Sequence, residues 1–290
     1  MQKLFSKRLF TKYFKAGIKN SLSKPGREWL YGKIITIYSL IKKQGPSRIF
    51  FDDGVWVHQY KKGSIVDRRI NFSASLSAYE NNAKNYWFFV YKPRLGDIIF
   101  DIGAGKGEDT YCFSRSVGPD GKIISVEANP KTFLCLSKFC EYNNLRNVIP
   151  VAEAICEKES EIAIDDPDDD LSSTIMNAIN GFKVKGVPLD TLVKTLGIET
   201  IDFLKMNIEG AEKIAIRGMA DCIKKTRYVC ISCHDFLADR QNIEAMRTKD
   251  EVIEFLRQNG FRVIFRESDE RPWIRDQING INESLVKKIC

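Results

Sequence analysis

From about Tyr79 onward, short continuous apolar runs alternate with stretches whose apolar positions recur every three or four residues. A run of four to eight apolar residues bounded by turn residues reads as a buried strand, and the longer recurrence reads as one face of a helix. The pattern predicts strands near 98–102, 122–127, 148–152, 201–207, 227–233 and 261–266. It predicts helices near 108–117, 130–143, 188–196, 210–223 and 248–259, with an aromatic-rich helix (Tyr86, Trp87, Phe88, Phe89, Tyr91) leading into the first strand. Regular alternation of this kind gives an α/β domain over 79–290, a mostly parallel sheet with helices on both faces and ligand sites at the strands' carboxyl ends. Ahead of it, Ile49–Phe51, Val55–Val57 and Ile65–Val66, turned by Asp52-Asp53-Gly54, predict a small accessory β element over 49–78.

Residues 1–48 read differently. Arg8, Lys12, Lys15 and Lys19 share one helical stripe, with Phe5, Leu9, Phe10, Tyr13 and Phe14 opposite. The segment holds 12 Lys+Arg against the single acid Glu28, so it is net +11 in a chain of net +7 and the remainder is net −4. The basic helix over 3–19 suits packing on the body or a partner, or peripheral contact with an anionic membrane. With no recognisable reader motif, charge alone does not point to nucleic acid. No apolar run approaches the length of a spanning helix, and no secretory leader pattern is expected. The eight cysteines lack the dense spacing of a disulfide scaffold and are read as reduced, which places the chain in the cytoplasm.

The candidate chemistry begins where the first strand ends, in Asp101-Ile102-Gly103-Ala104-Gly105-Lys106-Gly107. Three glycines at alternate positions let the backbone turn off a strand and approach a ligand. A dinucleotide fingerprint would place its third Gly at Glu108, and Asp109 follows, so two carboxylates stand where a pyrophosphate would meet the helix. S-adenosylmethionine has no phosphate and carries a cationic sulfonium, which suits that position. Glu127, 20 residues past Gly107 at the end of the next strand, is placed to take both ribose hydroxyls. Asp101 is a candidate acceptor for the cofactor's amino group. An NAD-dependent oxidoreductase and a ligand-free glycine turn are the other readings of the loop. The acidic run Asp165–Asp170 reads as a solvated loop or a cation contact.

Further along, Lys205-Met206-Asn207-Ile208-Glu209-Gly210-Ala211-Glu212 is a strand, its polar end and a helix start. Together with the glycine loop, Val126-Glu127-Ala128-Asn129-Pro130, Pro188-Leu189-Asp190-Thr191-Leu192 and His234, it resembles the FkbM family of S-adenosylmethionine-dependent methyltransferases over residues 85–265. The resemblance implies a Rossmann-like methyltransferase fold and O-methylation of a hydroxyl on a sugar, glycan or natural product. It implies Asp101, Gly103, Gly105, Gly107, Glu127, Ala128 and Asn129 as cofactor-binding residues. Members usually carry Asp where this chain has Asn207, and Asn is a poor ligand for a hard cation, so no metal is expected.

An alcohol attacks a methyl group well only as its proton leaves, which calls for a base near neutral pKa. The chain has two histidines; His58 falls in the accessory element, leaving His234, with Asp235 beside it, as the candidate. Asn207 and Glu209 complete the candidate catalytic set. Cys230-Ile231-Ser232-Cys233-His234 also matches a haem-attachment or zinc spacing, but it follows a predicted buried strand without a second ligand pair. A silent cofactor-binding or membrane-associated partner protein is the alternative of a different class, motivated by Asn207 and the basic N-terminus.

Overall fold

The computed structural model describes residues 26–41, 45–71, 74–165, 181–241 and 244–286. The expected basic helix over 3–19 and the acidic run beyond Asp165 lie outside them. Contacts divide the chain into two compact units, 1–75 and 76–290.

In the first unit, helix α1 (Glu28–Ile41) packs on a three-stranded antiparallel sheet of β1 (Arg48–Asp52), β2 (Val55–Tyr60) and β3 (Gly63–Asp67). The approach is close because Gly32 has no side chain: a Cβ there would sit 2.8 Å from the Ile49 carbonyl oxygen. Thr36 secures it, its Oγ1 accepting from Ile49 N at 2.8 Å. So α1, part of the segment expected to stand apart as 1–48, belongs with the β element. His58 is fully buried in this unit, where its Nε2 accepts from Asn71 N and burial holds its pKa below the ordinary value.

The second unit is built on a seven-stranded sheet. In chain order its strands are β4 (Ile98–Ile102), β5 (Lys122–Val126), β6 (Val148–Val151), β10 (Ile201–Met206), β11 (Thr226–Ser232), β12 (Phe261–Ile264) and β13 (Gln277–Asn282). Their spatial order is β12-β13-β11-β10-β4-β5-β6, parallel except that β13 runs antiparallel to both neighbours. The chain therefore starts at the centre, winds outward through β5 and β6, and returns to lay β10 on the other side of β4. That reversal opens a crevice at the carboxyl ends of β4 and β10, the usual ligand position in such sheets. The helices include α2 (Leu76–Trp87), α3 (Glu108–Val117), α4 (Pro130–Tyr142), α5 (Leu189–Thr195), α6 (Glu212–Ile216), α7 (Asp235–Gln241) and α8 (Lys249–Gln258).

The central strands are apolar because both faces are covered; every residue of β10 is buried, Lys205 included. Four features depart from expectation. The aromatic-rich helix ends at Trp87, so Phe88, Phe89 and Tyr91 follow it outside the helix. Strand β13 has the polar sequence QINGIN, yet Gln277, Asn279 and Asn282 are all buried. A second sheet, in the order β7-β9-β8, joins β7 (Ala154–Ile155), β8 (Ser160–Ile164) and β9 (Phe182–Val187) beside the crevice. The helix expected over 210–223 starts only at Glu212, because Glu209 (φ 52°) and Gly210 (φ 93°) are left-handed, and it stops at Ile216. Just beyond that end, Gly218 lies so close to Cys156 that a Cβ would come within 2.1 Å of the Cys156 carbonyl oxygen.

Candidate active site

Two cavities open at the carboxyl ends of β4, β10 and β11, and they share a wall. The first, about 370 Å³, lies over the glycine loop between the ends of β4 and β5 and reaches Ala154, Ile155 and Ile164 of the small sheet. The second, about 330 Å³, lies between α2 and the end of β11. Glu108, Asp109 and Asn207 line both.

The loop's backbone explains its glycines. Gly103 adopts φ 73°, and a Cβ there would sit 2.0 Å from the carbonyl oxygen of Asn207, so no other residue fits against β10. Gly105 turns at φ 58°, which lets its N–H donate to Glu127 Oε2 at 2.9 Å. Glu127 Oε1 accepts from Asn129 N, also at 2.9 Å, so one carboxylate ties the loop to the end of β5. Burial raises the Glu127 carboxyl to about 7 although both backbone donors pull it down. Asn129 caps α4, its Oδ1 accepting from Lys131 N and Thr132 N, with Pro130 opening the helix.

Of the residues expected to hold the cofactor, Gly103, Gly105, Glu127, Ala128 and Asn129 line the first cavity. Asp101 and Gly107 do not. The Asp101 carboxylate is fully buried beneath the loop, 2.8 Å from Lys205 Nζ and accepting from Thr110 Oγ1 at 2.6 Å. Gly107 serves packing instead: at φ 97° it starts α3, and a Cβ would sit 2.8 Å from Phe139.

Lys205 is the functional candidate that pattern reading passed over. Its ammonium, 1% exposed, donates to the Gly103 carbonyl at 2.8 Å, pairs with Asp101 and lies 3.7 Å from Asp109. Burial lowers its pKa, but Asp101 and Asp109 outweigh that and hold it above the ordinary lysine value. The available signal was a cation inside a strand that is apolar apart from it and Asp202, which only a buried counter-charge makes tolerable.

The catalytic candidates gather at the shared wall. Asn207 faces both cavities, Glu209 lines the first and His234 the second. His234 Nε2 lies 3.3 Å from Glu209 Oε2, and its Nδ1 lies 3.7 Å from Glu212 Oε1. Burial lowers the imidazole pKa, yet Glu212, Glu209 and Asp276 together leave it raised. Asp235 is not its partner, because Asp235 Oδ1 accepts from Thr248 N and Lys249 N at the start of α8. Cys230 and Cys233 of the same segment are fully buried. Among the described residues no helix is long and apolar enough to cross a membrane.

The lining of the first cavity is acidic. Glu108, Asp109, Glu127, Glu153 and Glu209 supply five carboxylates, against Lys106 and the already paired Lys205. A cationic, phosphate-free ligand fits such a lining, and a pyrophosphate does not.

The model of the methyltransferase FkbM domain matches residues 101–263. Among curated proteins, the chain is similar to the catalytic subunit of tRNA (adenine(58)-N(1))-methyltransferase from Yarrowia lipolytica, 32% identical over 71 residues, 24% of this chain and 18% of that protein. The counterpart from Cryptococcus neoformans is 34% identical over 65 residues, 22% of this chain and 15% of that protein. The chain thus spans less than a fifth of the length of these relatives. Among solved structures, a methyltransferase FkbM from Methylobacillus flagellatus shares 15% identity, covering 71% of this chain and 50% of that one, with a TM-score of 0.47. An Aeropyrum pernix fibrillarin with bound S-adenosyl-L-methionine shares 15%, covering 80% and 96%, with a TM-score of 0.42.

Proposed function

Because the chain belongs to the FkbM family of methyltransferases, with S-adenosylmethionine as methyl donor, we propose that it methylates a hydroxyl of a neutral sugar, glycan or related natural product. The observation that carries this reading is the pair of cavities meeting at Asn207, with the base candidate His234 on the far side from the glycine loop.

Glu127, the Gly103–Gly105 backbone and Asn129 would hold the cofactor, with Ala128 and Ile155 offering apolar contact and the acidic lining favouring its sulfonium. The bound cofactor supplies an electrophilic methyl group. The second cavity then takes the acceptor. Tyr79, Tyr86, Trp87 and Trp273 give its wall an aromatic character suited to the C–H face of a sugar, while Asn82 and Gln277 offer amides to its hydroxyls. No Lys or Arg lines this cavity among the described residues, so a phosphate-bearing acceptor would find no counter-charge there. His234 receives the hydroxyl proton, Glu209 shares the resulting charge across their 3.3 Å contact, and Asn207 aligns the acceptor between the cavities.

Transfer of labelled methyl from S-adenosylmethionine to a panel of neutral glycans, acidic glycans and transfer RNA tests the reading. Labelling of neutral glycans is expected, with His234→Ala slowing it about 10²–10⁴-fold and leaving cofactor affinity intact. Labelling of transfer RNA alone would favour the activity named for the curated relatives. Tight cofactor binding with no labelling of any acceptor would favour the silent partner reading. Calorimetry that found NAD bound as tightly as S-adenosylmethionine would overturn both.

A further inference from the structure

Glu212 is a buried carboxylate that the cofactor and acceptor cavities do not use. It is 0% exposed, yet it is the first residue of α6 and sits below the loop that carries Asn207 and Glu209. Its Oε2 accepts from Thr248 Oγ1 at 3.1 Å, at the start of α8. Its Oε1 is approached by the N–H groups of Ile208 (3.4 Å) and Gly210 (3.3 Å), which flank the left-handed Glu209. The same Oε1 is 3.7 Å from His234 Nδ1, a buried nitrogen with no hydrogen-bond partner of its own. Removing one partner of a buried charge leaves the other uncompensated and is strongly destabilising. Here those partners are the backbone of the Glu209 loop on one side and the imidazole on the other.

We propose that Glu212 is a positioning residue that orients His234, drawing Nδ1–H inward so that Nε2 is presented to Glu209 and the acceptor cavity. It rests on the reading of His234 as the base. The carboxylate reaches the ring from α6, while Glu209 reaches it from the loop and Phe236 packs beside it from α7 with its ring tilted 41° and the centroids 5.9 Å apart. The other charges that face or flank the ring are Asp276, itself 3.1 Å from Lys249, and Asp235, engaged at the start of α8. The loop is held by the same carboxylate, so removing it should loosen Glu209 as well as the ring.

The chain's two histidines make the test direct. Proton NMR titration of the full-length protein, without cofactor or acceptor, should show two imidazole resonances, with His234→Ala assigning one of them. His58, bonded to Asn71 within the first unit, is the internal control. Glu212→Gln keeps the side chain's size and removes its charge, and is expected to lower the His234 midpoint by about 1–3 pH units with His58 unmoved. An unmoved His234 midpoint, or one lowered only in Glu209→Gln, would overturn the proposal. If Glu212→Gln does not fold, nitrogen shifts of the unaltered protein above the midpoint decide: a neutral ring protonated at Nδ1 supports the proposal, and one protonated at Nε2 overturns it. Turnover enters at no stage, so a failed base assignment for His234 and a failed role for Glu212 give different results.

Discussion

Replacing Lys205 with Met keeps the length of the side chain and removes a cation that three groups depend on. The ammonium is 2.8 Å from Asp101 Oδ1, 2.8 Å from the Gly103 carbonyl and 3.7 Å from Asp109 Oδ2. At an effective dielectric near 20, two unit charges at the Asp101 distance attract by about 6 kcal/mol. Part of that is returned because the ammonium no longer has to be desolvated. What stays behind is a fully buried Asp101 carboxylate with Thr110 as its remaining hydrogen-bond donor. Removing one partner of a buried pair commonly destabilises by about 3–5 kcal/mol, a large share of a domain's whole stability. Urea unfolding followed by circular dichroism should register that loss. The double variant Asp101→Asn/Lys205→Met should recover at least about 1 kcal/mol relative to the sum of the single losses, because neither charge is then left alone. Strictly additive losses, or a single loss below about 1 kcal/mol, would show that the pair does not hold the loop and would refute the reasoning.

Glu127→Ala should weaken S-adenosylmethionine binding by about 1.5–3 kcal/mol in calorimetry, the range for hydrogen bonds to a charged group. With the Glu127 carboxyl raised to about 7, the parent's affinity should fall as pH drops from about 8 to about 6, and the variant should show a shallower slope, the remainder coming from Asp109, which burial raises to about 6 on the same wall. Gly103→Ala should abolish cofactor binding and lower the melting temperature, because its Cβ meets the Asn207 carbonyl at 2.0 Å. Gly197→Ala, also left-handed but with nothing within 4 Å, should lose only about 1–2 kcal/mol by chemical denaturation. Turnover should climb with pH through a midpoint above the ordinary histidine value, since the neutral ring is the base and the surrounding carboxylates favour its charged form. A flat profile above that value would remove His234 from the reaction.

The glycine loop, the Glu127 strand end, Asn207, Glu209 and His234 were legible in sequence because each lies where a strand stops, and strand ends follow from local apolar runs. Asp101 was legible as a residue but not in its role. Its position one strand away from Lys205 comes from the parallel pairing of β4 with β10, in which the two residues are register partners. The same limit explains the histidine's true neighbours. Adjacent Asp235 looked like the partner, whereas the carboxylates that face the ring come from Glu209 and from Glu212 at the head of another helix.

The order of apolar runs and helical repeats along the chain was enough to determine the α/β class and the positions of the parallel strands, since those depend on burial patterns within ten or so residues; the family resemblance came from the motifs at the strand ends. Tertiary structure decided the rest. Strand β13 is polar in sequence and becomes buried only because a hairpin with β12 carries it between that strand and β11. The small β7-β9-β8 sheet adds its wall to the cofactor cavity only after the chain has folded back. The buried charges Lys205, Asp101 and Glu212 would each be unfavourable alone, and only side chains brought in from distant segments make them stable. A one-dimensional pattern records what each residue is, but the counter-charge that makes a buried ion tolerable is a property of the space around it.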